Sequence, residues 1–394
     1  MISLISTAPT ILTPFDCLNG LKSPVSQYIR GLKDKYDLNP SSHSRNIVIG
    51  NEAADMDSIS AAIIRSFELS LKFPDQTFYP VVNIFRKDFH LRRDIEFLLE
   101  ELGISSDLIL FLDDISPSEG DKLHLVDHNI LAASQSNLSD NVITIVDHHH
   151  DEGTNYPSCI QKTIELSGSA TTLIARSLVT ESLNELDPSW AILILSPILL
   201  DTENFQSVHK TEPCDRAIYC KLEKFLPKQF VCADFFRKLN QKRYDVQGFS
   251  PDELFRKDVK KYQTQQDTFY TISSLPNGTG YLWKKDPKLI DAFHKYREEN
   301  SLKITMILEL SGQVNGQVNE ILRLHVCAAD EFFKPLVQYF MSDEELSSLM
   351  TLEEKDQKQK IAVWTLPNHL TRKTIQPRLL KNFKDVPNLV ETTF

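Results

Sequence analysis

IVDHHHDEG, residues 145–153, sets an aspartate and three consecutive histidines directly after an apolar run. VITIV (142–146) is rich in β-branched residues and reads as a buried strand. A surface loop has no structural need for clustered imidazoles, so the cluster points to chemistry. Two other strand-like runs end in the same way. NIVIG (46–50) leads into NEAADMDS, which carries Asp55 and Asp57. LHLV (123–126) leads into Asp127-His128-Asn129. In an open parallel sheet, functional side chains collect beyond the carboxyl ends of the strands. The three sets are therefore expected to converge on one rim.

The surrounding pattern supports such a sheet. FYPVVNIF (78–85) and LILFL (108–112) are further strand candidates. Helical spacing begins at Ser58 and recurs over 91–102, 169–183 and 190–200, the last with a proline at Pro197. Alternating strands and helices predict an α/β fold with a parallel sheet in an N-terminal domain. Residues 205–262 are polar, basic and mostly helical in pattern. Beyond them, 268–275, 303–310, 320–328 and 361–366 read as strands and 331–350 as helix, which predicts a smaller α+β C-terminal domain. The boundaries expected are 1–215, a helical linker over 216–245, and 246–394.

The 394 residues suit two domains. No apolar run is long enough to span a bilayer, and the N-terminus lacks the basic flank of a secretory signal, so a soluble, cytoplasmic protein is expected, with a nuclear or mitochondrial pool left open. Six cysteines include no CxxC pair, which indicates neither a zinc knuckle nor a disulfide framework. A net charge of −11 argues against a stable nucleic-acid partner.

Converging carboxylates repel unless protons or cations neutralise them. Asp55, Asp57, Asp127 and Asp201, which ends the apolar helix 190–200, together with His148, are enough for two divalent ions sharing one carboxylate. Hard oxygen donors with one or two imidazoles suit Mg²⁺, with Mn²⁺ or Co²⁺ as alternatives. Such a pair activates water for in-line attack on phosphorus. Each piece alone has a plainer explanation. A single DxD after a strand is most often a solvated turn, and Asp127-His128-Asn129 alone could be another. The evidence is the combination. His150 is expected to face solvent and His124, inside its strand, to be structural.

NEAADMDS, the Asp127 motif, Asp147-His148-His149 and Asp201 resemble the four ordered motifs of the DHH phosphoesterase superfamily. VQGFSPDELFRKDVKKY (246–262) and LTRKTIQPRLL (370–380) resemble the opening and closing of its second-type associated domain. Within that branch the chain looks most similar to fungal exopolyphosphatases, and more distantly to prune proteins and family II pyrophosphatases. The resemblance implies an active site in the cleft between the domains. It assigns Asn51 and Asp55 to the first metal, Asp57, His148 and Asp201 to the second, and Asp127 to both. His149 would face the phosphoryl group and Asp147 would orient the histidines. Asn51 stands where family II pyrophosphatases have histidine, and an amide oxygen there would favour Mg²⁺.

The implied reaction is hydrolysis of terminal phosphoanhydride bonds of inorganic polyphosphate by a monomer. A pyrophosphatase or nucleoside-polyphosphate phosphatase, and a prune-like binding protein, are the alternatives. An acidic chain needs local cations for a polyanion. Arg372 and Lys373 match the family's substrate-binding pair and suit phosphate contact. Basic residues over 237–261 are either a channel wall or solvated helix faces. Ser169, in the SGS before a helix, is either a phosphate contact or a plain cap.

Overall fold

A computed structural model describes residues 23–40, 44–181, 186–263, 269–276, 288–311, 321–367, 370, 372 and 375–376. The chain divides into two compact units, Met1–Asp245 and Val246–Phe394.

In the first unit the elements are α1 (Pro24–Leu38), β1 (Asn46–Ile49), α2 (Met56–Lys72), β2 (Phe78–Val82), α3 (Arg93–Glu101), β3 (Leu110–Phe111), β4 (Lys122–Val126), β5 (Val142–Asp147), β6 (Gln161–Ile164), α4 (Ala170–Glu181), α5 (Pro188–Asp201), α6 (Pro213–Leu222) and α7 (Cys232–Tyr244). The six strands form one sheet in the order β3-β2-β1-β4-β5-β6. Every pairing is parallel. Ile47, Val48 and Ile49 of β1 are all fully buried, Val48 in one apolar cluster and Ile47 and Ile49 in another. A strand covered on both faces reads as a continuous apolar run, which is why β1 is visible in the sequence. The chain winds outward from β1 to β3, then returns to β4 on the other side of β1. The direction of winding therefore reverses between β1 and β4, and a crevice opens beyond their carboxyl ends.

Helix α5 explains the placement of Asp201. Residues Ser189 to Leu200 are all buried, so this helix is apolar all round and runs through the core. Burying each Leu or Ile stabilises the unit by about 1.5–3 kcal/mol. Asp187 fixes the start, accepting from the Ser189 and Trp190 N–H groups. The polar Asp201 lies at the far end, and the helix continues through Pro197.

Within 216–245, expected as a helical linker, the two helices pack onto the first unit. Ile218 and Leu222 of α6 and Phe235 and Leu239 of α7 are buried in the first unit's core. Each pair is four residues apart, one apolar stripe of an amphipathic helix that needs a partner surface.

In the second unit, β7 (Val259–Gln263), β8 (Phe269–Pro276), β9 (Ile304–Ser311), β10 (Ile321–Ala328), β11 (Thr351–Asp356) and β12 (Ile361–Leu366) form a mixed sheet. The order is β11-β12-β10-β9-β8-β7, and only β8 and β9 pair in parallel. Helix Lys288–Glu299 packs Phe293 and Tyr296 on one face, and helix Asp330–Ser342 packs Phe333 and Phe340 on the other. The helix expected over 331–350 breaks at Asp343, whose carboxylate caps a second helix, Glu344–Leu349. Val259–Gln263, read as part of a helical segment, pairs with β8 as a strand. Among the described residues no helix is long and apolar enough to cross a membrane.

Candidate active site

The site is built at the crevice between β1 and β4. Asp127 follows β4 directly and takes a left-handed backbone, φ 60°. A non-glycine residue held there is strained, and such strain clusters at functional positions. Oδ2 of Asp127 accepts from Ser58 Oγ at 2.6 Å and from Asn51 Nδ2 at 2.7 Å. Oδ1 faces the histidines instead, 3.4 Å from His148 Nε2 and 3.5 Å from His149 Nδ1. Gly50 makes this arrangement possible. A Cβ there would stand 2.8 Å from both Cβ and the carbonyl of Ser58, so a larger residue would push the first turn of α2 off the end of β1.

Asp147 ends β5 and is fully buried. Its Oδ1 accepts from the His148 and His149 backbone N–H groups and from His149 Nδ1, and its Oδ2 from Asn129 Nδ2. Burial alone would raise its pKa, but these donors hold it well below the usual carboxylate range. The bond to His149 Nδ1 orients that ring. The Nδ1–H of His148 donates to the Ser167 carbonyl at 2.8 Å, which turns Nε2 toward Asp127 Oδ1 and, at 3.7 Å, Asp57 Oδ2. The two rings pack edge to face, 4.5 Å between centroids. His150 is exposed, and His124 is buried against Thr144.

Asp57 lies in the first turn of α2 and meets the start of α4. It accepts from Ser169 Oγ, the Ala170 and Thr171 N–H groups and Thr171 Oγ1. The helix N-terminus thus holds a carboxylate of the chain itself. Gly168 permits the approach, because a Cβ there would lie 2.5 Å from Thr202 Cγ2 and 2.6 Å from the Lys210 carbonyl. Asp55 caps α2 through the Ser58 N–H at 3.0 Å.

The electrostatics are those of crowded carboxylates. Burial, then the charges of Asp57 and Asp55, push Asp127 up to about 6. Desolvation and Asp57 also raise Asp201, against Arg243. Burial pulls His148 down, but Asp127 and Asp57 outweigh it and raise the imidazolium to about 10. The cluster thus favours positive charge. Asp127, His148 and His149 each offer a donor atom within 4.8 Å of the others. One carboxylate oxygen turned toward two oriented imidazoles fits a divalent cation. Asp55, Asp57 and Asp201 lie outside that group.

Three of the expected site residues have partners within the protein. Asn51 Oδ1 accepts from the Ala53 N–H at 2.8 Å, and its NH₂ donates to Asp127 Oδ2. Ser169 is fully buried, and its hydroxyl donates to the Asp57 carboxylate. Arg372 donates to the Asp258 carboxylate at 2.9 Å and to the Asp258 and Ile272 carbonyls, all within the second unit. Lys373 lies outside the described residues. The sequence reading passed over Ser58, Asn129 and Thr171. Ser58 and Asn129 gave only the signal of a polar residue three or two places after a motif aspartate, and Thr171 gave none.

Residues 45–198 match the model of the DHH family N-terminal domain, and residues 237–382 match the DHHA2 domain. A Schizosaccharomyces pombe protein named "Putative exopolyphosphatase" is 33% identical over 88% of this chain and 93% of its own. "Exopolyphosphatase PRUNE1" of Homo sapiens is 33% identical over 56% of this chain and 50% of its own length. The crystal structure of a Methanococcus jannaschii "putative family II inorganic pyrophosphatase" superposes with a TM-score of 0.61 at 19% identity, covering 86% of this chain and 99% of that one, a likeness of fold. With both domain models in order and the fission-yeast relative matched almost end to end, the chain belongs to the DHH family, in the branch that carries a DHHA2 domain.

Proposed function

We propose that this protein is an exopolyphosphatase, a metal-dependent hydrolase that removes terminal orthophosphate from inorganic polyphosphate. The observation that carries the reading is the Asp127–His148–His149 cluster at the crevice between β1 and β4. Relatives that share this domain pair, or part of it, carry exopolyphosphatase in their names. Two divalent ions, Mg²⁺ foremost, would be held by Asp127 and His148 with Asp55, Asp57 and Asp201 drawn in once repulsion is relieved. Bound there, they would polarise the phosphoryl oxygens and make water a better nucleophile.

The remaining work falls to the chain's own residues. Ser58 and Asn51 hold Asp127 so that Oδ1 keeps facing the imidazoles. Asp147 accepts from Nδ1 of His149 and so leaves Nε2 as the ring atom for the phosphoryl group. The α4 N-terminus fixes Asp57. Arg372 and Lys373 are proposed as phosphate contacts of the second unit. The Asp258 carboxylate now on Arg372 is the kind of anion the guanidinium fork accepts.

Purified protein with Mg²⁺ and polyphosphate of graded length, pyrophosphate, ATP or short RNA tests the reading through phosphate or nucleotide released. Polyphosphate should shorten by one unit per turnover, pyrophosphate should be cleaved more slowly, and a chelator should stop both. Efficient cleavage of pyrophosphate with none of polyphosphate would replace the proposal with a pyrophosphatase.

A further inference from the structure

Arg243, in the last turn of α7, lies at the carboxylate rim without being bonded to it. Its Nη1 stands 3.9 Å from Asp201 Oδ1, beyond hydrogen-bond distance, and its side chain is 37% exposed. Among the described residues its guanidinium makes no hydrogen bond. Other arginines of this unit are committed to the protein. Arg45 closes on Asp121 at 2.7 Å, Arg65 donates to Glu68, and Arg92 donates to the Ala53 carbonyl. A guanidinium serving only as a counter-ion would close on Asp201 in the same way.

The rest of α7 turns its cations elsewhere. Lys238 and Lys242 lie over the Phe97 ring at 4.6 and 5.3 Å, and Arg237 pairs with Asp234. Only Arg243, among the described cations of this helix, faces the motif aspartates. Burial opposes its charge, but Asp201, Asp94 and Asp55 more than compensate and keep it protonated. The last turn of a helix also favours a cation.

We propose that Arg243 is a catalytic residue supplied by the first unit, whose guanidinium contacts the phosphoryl group placed over Asp201 and Asp127. The inference rests on the phosphoanhydride reading above. The planar fork matches two phosphoryl oxygens, and its donors need not leave a protein partner to reach them. Charge developing on those oxygens during transfer strengthens the contact.

The test uses the full chain. Imidodiphosphate binding is measured by calorimetry in Mg²⁺, Mg²⁺ binding is measured without the anion, and KM and kcat are measured on polyphosphate. Arg243→Gln should weaken imidodiphosphate binding roughly 10- to 150-fold and raise KM or lower kcat, with Mg²⁺ affinity undiminished. Arg243→Lys should recover part of the loss, and Arg237→Gln, on the same helix, should change nothing. Unchanged anion affinity in Arg243→Gln, or a parallel fall in Mg²⁺ affinity, would overturn the proposal and leave Arg243 a support for Asp201. If Arg243→Gln does not fold, Arg243→Lys decides, since the lost fork should cost several-fold in anion affinity and wild-type affinity would refute the contact. A wild-type protein that binds imidodiphosphate through Arg243 yet leaves polyphosphate intact would sink the exopolyphosphatase reading and not this one.

Discussion

Asp127 and His148 together hold a proton that a cation should displace. Without metal, the carboxyl is pushed up to about 6 and the imidazolium to about 10, so near pH 7–8 the pair retains a proton between Oδ1 and Nε2. Mg²⁺ binding should therefore release about one proton, and its affinity should rise with pH. Calorimetry in two buffers of different ionisation enthalpy counts the proton. A His148 pKa raised above its unfolded value stabilises the metal-free protein fully below about 6.5, and the benefit is lost as pH rises through about 10. The Tm of metal-free protein should fall across that window, and Mg²⁺ should oppose the fall. Zero proton release would place the cation elsewhere. At this scale the contiguous motifs were legible because acids and imidazoles directly after an apolar strand have few structural uses. The Asn51 orientation was not, because the Ala53 N–H that fixes it is a matter of local backbone geometry. Nor was the role of Ser169, which depends on Asp57, far away in sequence.

Among elements, legibility followed burial. β1, β4 and β5 are covered on both faces and read as apolar runs. The strands missed were at sheet edges: β6 in the first unit, β7 and β11 in the second. Edge strands carry polar and charged residues, and VKKYQ and TLEEKD look like helix or loop for that reason. His124 shows the cost of a titratable group in a central strand. It packs against Phe78 and hydrogen-bonds Thr144, and burial, then Arg65 and Lys122, lower its pKa to about 3. A depressed histidine binds its proton more readily unfolded, so stability is complete above about 6.5 and is lost as pH falls toward 3. Between pH 6.5 and 5 the first unit should lose about 2 kcal/mol from this residue, at about 1.4 kcal/mol per pH unit. Denaturant titrations of wild type and His124→Leu at those two pH values check it. An equally steep acid limb in the variant would show that another group governs it.

For the whole molecule, the division into two units predicts a division of labour. Each has its own apolar clusters, one around α5 and α2, another around Trp364 and Phe340, so neither needs the other's side chains for a core. Every motif carboxylate and histidine lies within Met1–Asp245, and so does Arg243, because α7 packs there. Arg372 and Lys373 lie in Val246–Phe394. A fragment of residues 1–245 should therefore fold, unfold cooperatively and bind Mg²⁺ with nearly the affinity of the full chain. It should hydrolyse polyphosphate poorly, since it keeps one proposed phosphate contact and lacks the others. Losing two charge-assisted contacts, at about 1.5–3 kcal/mol each, should lower kcat/KM by roughly 10²-fold or more. Far-UV circular dichroism, Mg²⁺ calorimetry and phosphate release on fragment and full chain separate the three claims. A folded fragment with undiminished kcat/KM would mean that the first unit alone recognises the polyanion, and the proposed role of Arg372 and Lys373 would fall.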